Sequence, residues 1–165
     1  FIIKLEKTTD NLKCVMRQYN IIFRVDAAKL PGLSFGHLYR CIALAKQLKN
    51  LSNAKISFLM LDYPKAIAIV IKNKFSVLPL NINSPEEQLH KLMSNNKINA
   101  HIIIQDLPIG YRTAYQINSK SKMKKAVILD GPQTEYPADI VINSDIISTT
   151  KSEENRNTKK AKNII

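Results

Sequence analysis

Short runs of continuous apolar residues alternate along this chain with stretches of helical period, and that alternation leaves few folds open. Tyr19–Asp26, Lys55–Leu61, Phe75–Leu80, His101–Asp106, Lys125–Asp130 and Asp139–Asn143 read as strands. Between the first two, Gly36–Leu48 carries Leu38, Cys41, Ile42, Leu44, Ala45 and Leu48 at helical spacing, with Ser34 placed to cap it. Ala66–Asn73 reads as a helix with Pro64 near its first turn. Ser84-Pro85-Glu86-Glu87 is a helix start, with Ser as cap and acid in the first turn, and that helix runs to about Ser94. A weaker helix covers roughly Thr113–Ser121. Strands apolar on both faces belong in a parallel sheet with helices on each side. Right-handed crossovers make such a sheet open and doubly wound. The expected class is therefore α/β and Rossmann-like, with a mostly parallel sheet.

The chain of 165 residues is the size of one domain. Residues 1–19 show no clean period and read as a lead-in. Residues 20–147 carry the alternating pattern. Residues 148–165 are polar, charged and without period, and are expected to be a linker or disordered tail.

Composition narrows the function. Two cysteines, Cys14 and Cys41, are too few for a secreted disulfide framework and point to a reducing cytoplasm. Cys41 falls inside the apolar helical pattern and reads as packed rather than reactive. No apolar run approaches the ~20 residues of a membrane helix, so no membrane insertion is expected. The formal net charge of +12 suggests a polyanion partner. A nucleic-acid footprint is concentrated and rich in Arg and aromatics. Here the lysines are dispersed and Arg is scarce, so nucleic acid is not an expected partner. His90, His101, Cys14 and Cys41 make no zinc spacing. No dinucleotide or Walker glycine loop follows a strand. Neither a metal nor a cofactor is expected.

The chemistry is concentrated where the first strand gives way to the first helix. In an open parallel sheet, ligands sit beyond the carboxyl ends of the strands. Asp26, Asp106 and Asp130 fall there, as does the loop Lys29–Gly36. Gly36 lets a ligand approach the backbone at a helix start, where free amides and the positive dipole end favour an anion. His37 stands at that point, where the dipole disfavours an imidazolium and leaves a neutral base. Arg40, one turn later, points the same way and could hold an anion. By position alone, His37 reads first as an ordinary helix-start histidine. Asp106 and Asp130 read equally well as caps of the segments that follow them.

Arg24-x-Asp26 ending a strand, Gly36-His37 opening a helix, Arg40-Cys41 and Leu44-Ala45 along it form a set. It resembles the hydrolase of the pseudaminic acid pathway that releases UDP from UDP-2,4-diacetamido-2,4,6-trideoxy-β-L-altropyranose. It is also similar to the broader spore coat polysaccharide biosynthesis proteins. Asp106, Asp130-Gly131 and Ala138–Asn143 agree more loosely, and the resemblance spans about residues 20–146. It implies the N-terminal half of a two-domain, glycosyltransferase-B-like fold, the type that includes the lipid II-forming N-acetylglucosaminyltransferase. It implies a nucleotide-sugar substrate, with His37 as catalytic base for the attacking water. Asp26, Gly36, Arg40, Asp106 and Asp130 would line the substrate site. It also implies a C-terminal nucleotide-binding domain, supplied in cis or in trans, without which residues 1–165 are expected to be inactive. Two residues depart from the family loop. Ser34 replaces its first glycine, and Phe35 replaces a small residue and is expected to narrow the sugar pocket. Half of a glycosyltransferase, or a binding domain without turnover, are the alternatives.

Overall fold

A computed structural model of the chain describes residues 18–95, 98–108, 123–129, 138–143 and 162–164. Its elements are β1 (Tyr19–Val25), α1 (Phe35–Leu51), β2 (Ala54–Leu61), α2 (Pro64–Lys72), β3 (Ser76–Leu80), α3 (Pro85–Ser94), β4 (Ile102–Asp106), β5 (Lys124–Leu129), β6 (Ile140–Asn143) and β7 (Lys162–Ile164). The strands form one seven-stranded sheet in the order β3-β2-β1-β4-β5-β6-β7. Every pairing in it is parallel. This is a Rossmann-like α/β fold.

The sequence explains the arrangement. Ile21, Phe23 and Val25 of β1 face one side of the sheet with Ile56, Phe58 and Met60 of β2. Leu38, Cys41, Ile42 and Ala45 of α1 and Ala66 and Val70 of α2 cover that side. The alternate residues Ile22, Leu59, Leu61 and Ile103 face the other side, against Leu89 of α3. A two-sided core needs strands with apolar residues on consecutive positions, as Ile21-Ile22-Phe23 of β1 and Phe58-Leu59-Met60-Leu61 of β2 supply. Phe23 stacks on Phe58 with centroids 5.2 Å apart, and both side chains are fully buried. Truncating either to Ala costs about 3–5 kcal/mol. Pro79 lies in β3, where the missing N–H is tolerated because β3 is an edge strand.

Two differences from expectation concern ends. α1 runs one turn further than its apolar stripe, to Leu51, which is exposed. Lys162–Ile164 pairs with β6 as the far edge strand, although it falls within the stretch expected to be a tail. The weaker helix expected at Thr113–Ser121 lies outside the described residues.

In this strand order the chain turns back at β1 and β4, which are neighbours. Their connections leave in opposite directions, so a crevice opens beyond their carboxyl ends. The fold delivers the first turns of α1 and the end of β4 to that point.

Candidate functional site

Three of the expected site residues meet at the crevice between β1 and β4. His37, Arg40 and Cys41 stand at i, i+3 and i+4 on α1, so they share one face of the helix. That face meets Asp106, the last residue of β4. Asp106 lies in a buried strand end, with a side chain only 1 % exposed. Arg40 Nε donates to Asp106 Oδ2 at 2.5 Å, and Arg40 Nη2 donates to Oδ1 at 2.5 Å. This is the bidentate fork geometry of a guanidinium on a carboxylate. His37 Nδ1 lies 2.8 Å from Asp106 Oδ1. Cys41 Sγ donates to Oδ2 at 3.5 Å.

Burial alone would raise the Asp106 carboxyl, but the hydrogen bonds from Arg40 and His37 and their charges outweigh it and hold the group below the usual carboxylate range. An ionised Asp106 can only accept. In its neutral form His37 therefore keeps its proton on Nδ1, pointing at the carboxylate, and Nε2 carries the basic lone pair. Arg40 Nη2 is also 2.9 Å from His37 Nδ1. Both atoms are donors in this state, so Arg40 spends that hydrogen on Asp106 and crowds the ring rather than bonding it. His37 is 18 % exposed and Arg40 29 %, so both lie at the surface of the crevice above a buried anion. An imidazole fixed at Nδ1 by a buried carboxylate is an arrangement for general-base chemistry at Nε2.

Asp106 thus serves His37 and Arg40; its oxygens face them. Asp26 reaches the same sheet edge with a different task. It is fully buried and takes a bidentate pair from Arg24, with Nη2 to Oδ2 at 2.7 Å and Nη1 on Oδ1. Its Oδ1 also accepts from the Leu61 amide at 2.8 Å, which ties the end of β1 to the end of β2. Both oxygens are engaged inside the protein. The signal was present in the sequence: residues two apart in a strand share a face, so opposite charges in a buried strand must pair there.

Gly36 is exposed beside His37, and a Cβ built there would meet only Ser34 Oγ at 3.6 Å, an ordinary contact. The packing of the chain itself does not require glycine at this position. Phe35 turns away from the crevice: its ring meets Tyr63 edge-on, with centroids 6.3 Å apart, on the α2 side of α1. Asp130 lies outside the described residues. Burial and the neighbouring Asp106 anion push the Cys41 thiol far up, which removes it as a nucleophile. His101 lies at the opposite edge of the sheet, where its Nδ1 accepts from the Asn20 amide at 3.0 Å. Among the described residues, no group of three His, Cys, Asp or Glu side chains could hold a metal ion. No helix among them is long and apolar enough to cross a membrane.

No family model matches the chain, and no curated protein matches it in sequence. Its structure is similar to the crystal structure of Acinetobacter baumannii MurG, a glycosyltransferase-B fold, with a TM-score of 0.56 at 10% identity. The match covers 76% of this chain and 41% of that protein, so the chain spans less than half the length of its neighbour. The likeness is one of fold: Rossmann-like and of the glycosyltransferase-B kind.

Proposed function

We propose that this chain is the N-terminal half of a nucleotide-sugar enzyme, and that the reaction is hydrolysis. Water attacks the anomeric carbon of an amino or deoxy sugar carried on UDP or another nucleotide. The attacking water gives its proton to His37 Nε2, the bond from that carbon to the nucleotide oxygen breaks, and the nucleotide leaves as its anion. His37 then returns the proton to solvent. Arg40 and the start of α1 at Gly36 face the developing negative charge. A complementary domain, in cis or in trans, holds most of the nucleotide.

The observation that carries this reading is the placement of His37. It stands on a buried, ionised Asp106 at the point of the sheet where ligands bind in folds of this order. The likeness to MurG supports a second reading, half of a glycosyltransferase. There a sugar hydroxyl takes the place of water, and the same base serves. The deciding experiment supplies a UDP-sugar to the complete protein that carries this domain, with no acceptor present. A hydrolase releases UDP and free sugar in equal amounts. A transferase releases UDP only when an acceptor hydroxyl is added. Absence of release under both conditions refutes an enzymatic role.

A further inference from the structure

On the other side of α1 lies a groove that the His37 site does not use. Phe35 and Tyr39 form one wall, at i and i+4 of α1, and Lys65, Ala68, Ile69 and Lys72 of α2 form the other. Lys29, from the loop after β1, stands at its end. The groove is open, with a volume of about 460 Å³. Drug-sized ligands occupy cavities of roughly 300–1,000 Å³. His37 lies about 200° around the helix from Phe35, at ~100° per residue, so the two sites are separated by the body of α1.

Its chemistry is one-sided. The floor is apolar and aromatic, and Tyr39 is 56% exposed. No acidic residue lines it. Lys91 and Lys124 elsewhere are paired with Glu87 and Asp139, whereas Lys29, Lys65 and Lys72 have no ion pair among the described residues. The first turns of α1 and α2 carry no acidic residue either. Such a turn ordinarily gains from acid against the dipole. Lys29 and Lys65 both lie toward the carboxyl edge of the sheet, where β1 ends and α2 begins. Lys72 lies two turns along α2, about 10 Å away at ~1.5 Å per residue. The pair of cations, Lys29 and Lys65, at one end of an apolar floor matches a ligand with an apolar body and an anionic head.

We propose that this groove is a second binding site, for a small soluble ligand that joins an aromatic or similarly flat apolar body to a phosphate or carboxylate. The ring lies on Tyr39, Phe35 and Ile69, and the anion is held between Lys29 and Lys65. The inference stands whether or not His37 is catalytic.

1-Naphthyl phosphate is the probe, titrated into the ¹⁵N-labelled chain and followed by amide shifts. Saturable shifts at Phe35, Tyr39, Lys65, Ala68 and Ile69 are expected, and the neutral 1-naphthylmethanol binds at least tenfold more weakly. The Lys29→Glu, Lys65→Glu double variant should weaken binding of the phosphate about tenfold. Because both lysines are exposed, the fold should be unchanged, and Tyr39→Ala tests the apolar wall independently. Equal binding of the neutral analogue, or shifts that follow His37, Arg40 and Asp106 instead, would overturn the proposal. So would failure of the probe to saturate while the chain sediments with phosphatidylglycerol vesicles in a Lys65-dependent way, since that outcome assigns the surface to a lipid bilayer.

Discussion

Asp106→Asn tests the heart of the site, because one atom changes and three partners depend on it. Asp106 accepts from Arg40 at 2.5 Å twice, from His37 at 2.8 Å and from Cys41 at 3.5 Å. An amide has one acceptor oxygen and one donor nitrogen. If the nitrogen takes the Oδ2 position, it faces Arg40 Nε. If it takes the Oδ1 position, it faces Arg40 Nη2 and His37 Nδ1. Either way, two donors meet. Hydrogen bonds to charged groups contribute about 1.5–3 kcal/mol each. Arg40 is 29 % exposed and recovers part of that loss by turning to water. The variant should therefore lose about 2–4 kcal/mol in urea unfolding at neutral pH. The loss is also pH-dependent. The folded Asp106 carboxyl is held below its ordinary value. Its stabilisation is complete above the unfolded value of ~3.9 and drains away as pH falls through the lower folded value. The two unfolding curves should converge below about pH 4. A difference under about 1 kcal/mol at neutral pH, or one that stays constant into acid, would refute the reasoning.

Asp26→Ala should destabilise by about 3–5 kcal/mol, since it strands buried Arg24; a thermal melt should drop by about 10 °C at roughly 2–4 °C per kcal/mol, and a shift of a degree or two would show that the pair is not structural. Cys41 should resist alkylation in the native chain at mildly alkaline pH and label only on unfolding, read by mass spectrometry of its peptide; rapid native labelling would contradict its burial and raised thiol. Gly36→Ala should leave stability unchanged or slightly raised, because the added Cβ has room and Ala favours a helix by up to ~1 kcal/mol. The same change should weaken nucleotide-sugar binding by the complete protein about tenfold or more, a loss of ~1.4 kcal/mol, and unchanged affinity would remove Gly36 from the site.

Much of this fold is legible in the sequence because its strands are buried on both faces. Ile21-Ile22-Phe23 and Phe58-Leu59-Met60-Leu61 are apolar on consecutive positions, as a covered parallel sheet requires. Helix ends are less visible where nothing is buried: Lys49–Leu51 extends α1 past the last core residue, and no period marks it. Lys162–Ile164 joins the sheet through backbone pairing at an edge, which leaves too short a side-chain pattern to read. At the site, spacing alone aligns His37 with Arg40 and Cys41. Bringing Asp106 to them takes the topology, because β4 inserts beside β1 from far along the chain. For Asp26 the sequence carries the pairing itself: Arg24 is two residues away, and opposite charges in a buried strand must pair.

The central claim is that His37, held by Asp106, is the base for attack on a nucleotide sugar. The most direct measurement is steady-state release of UDP by the complete protein, comparing wild type with His37→Ala. The account predicts a fall in kcat of about 10²–10⁴-fold, the contribution of a positioned acid–base group, with KM changed far less. It also predicts a melting temperature lower by only several degrees, since one hydrogen bond to Asp106 is lost while the bidentate pair with Arg40 remains. An unchanged kcat per folded molecule, with stability lost instead, would contradict it and leave His37 a structural partner of Asp106.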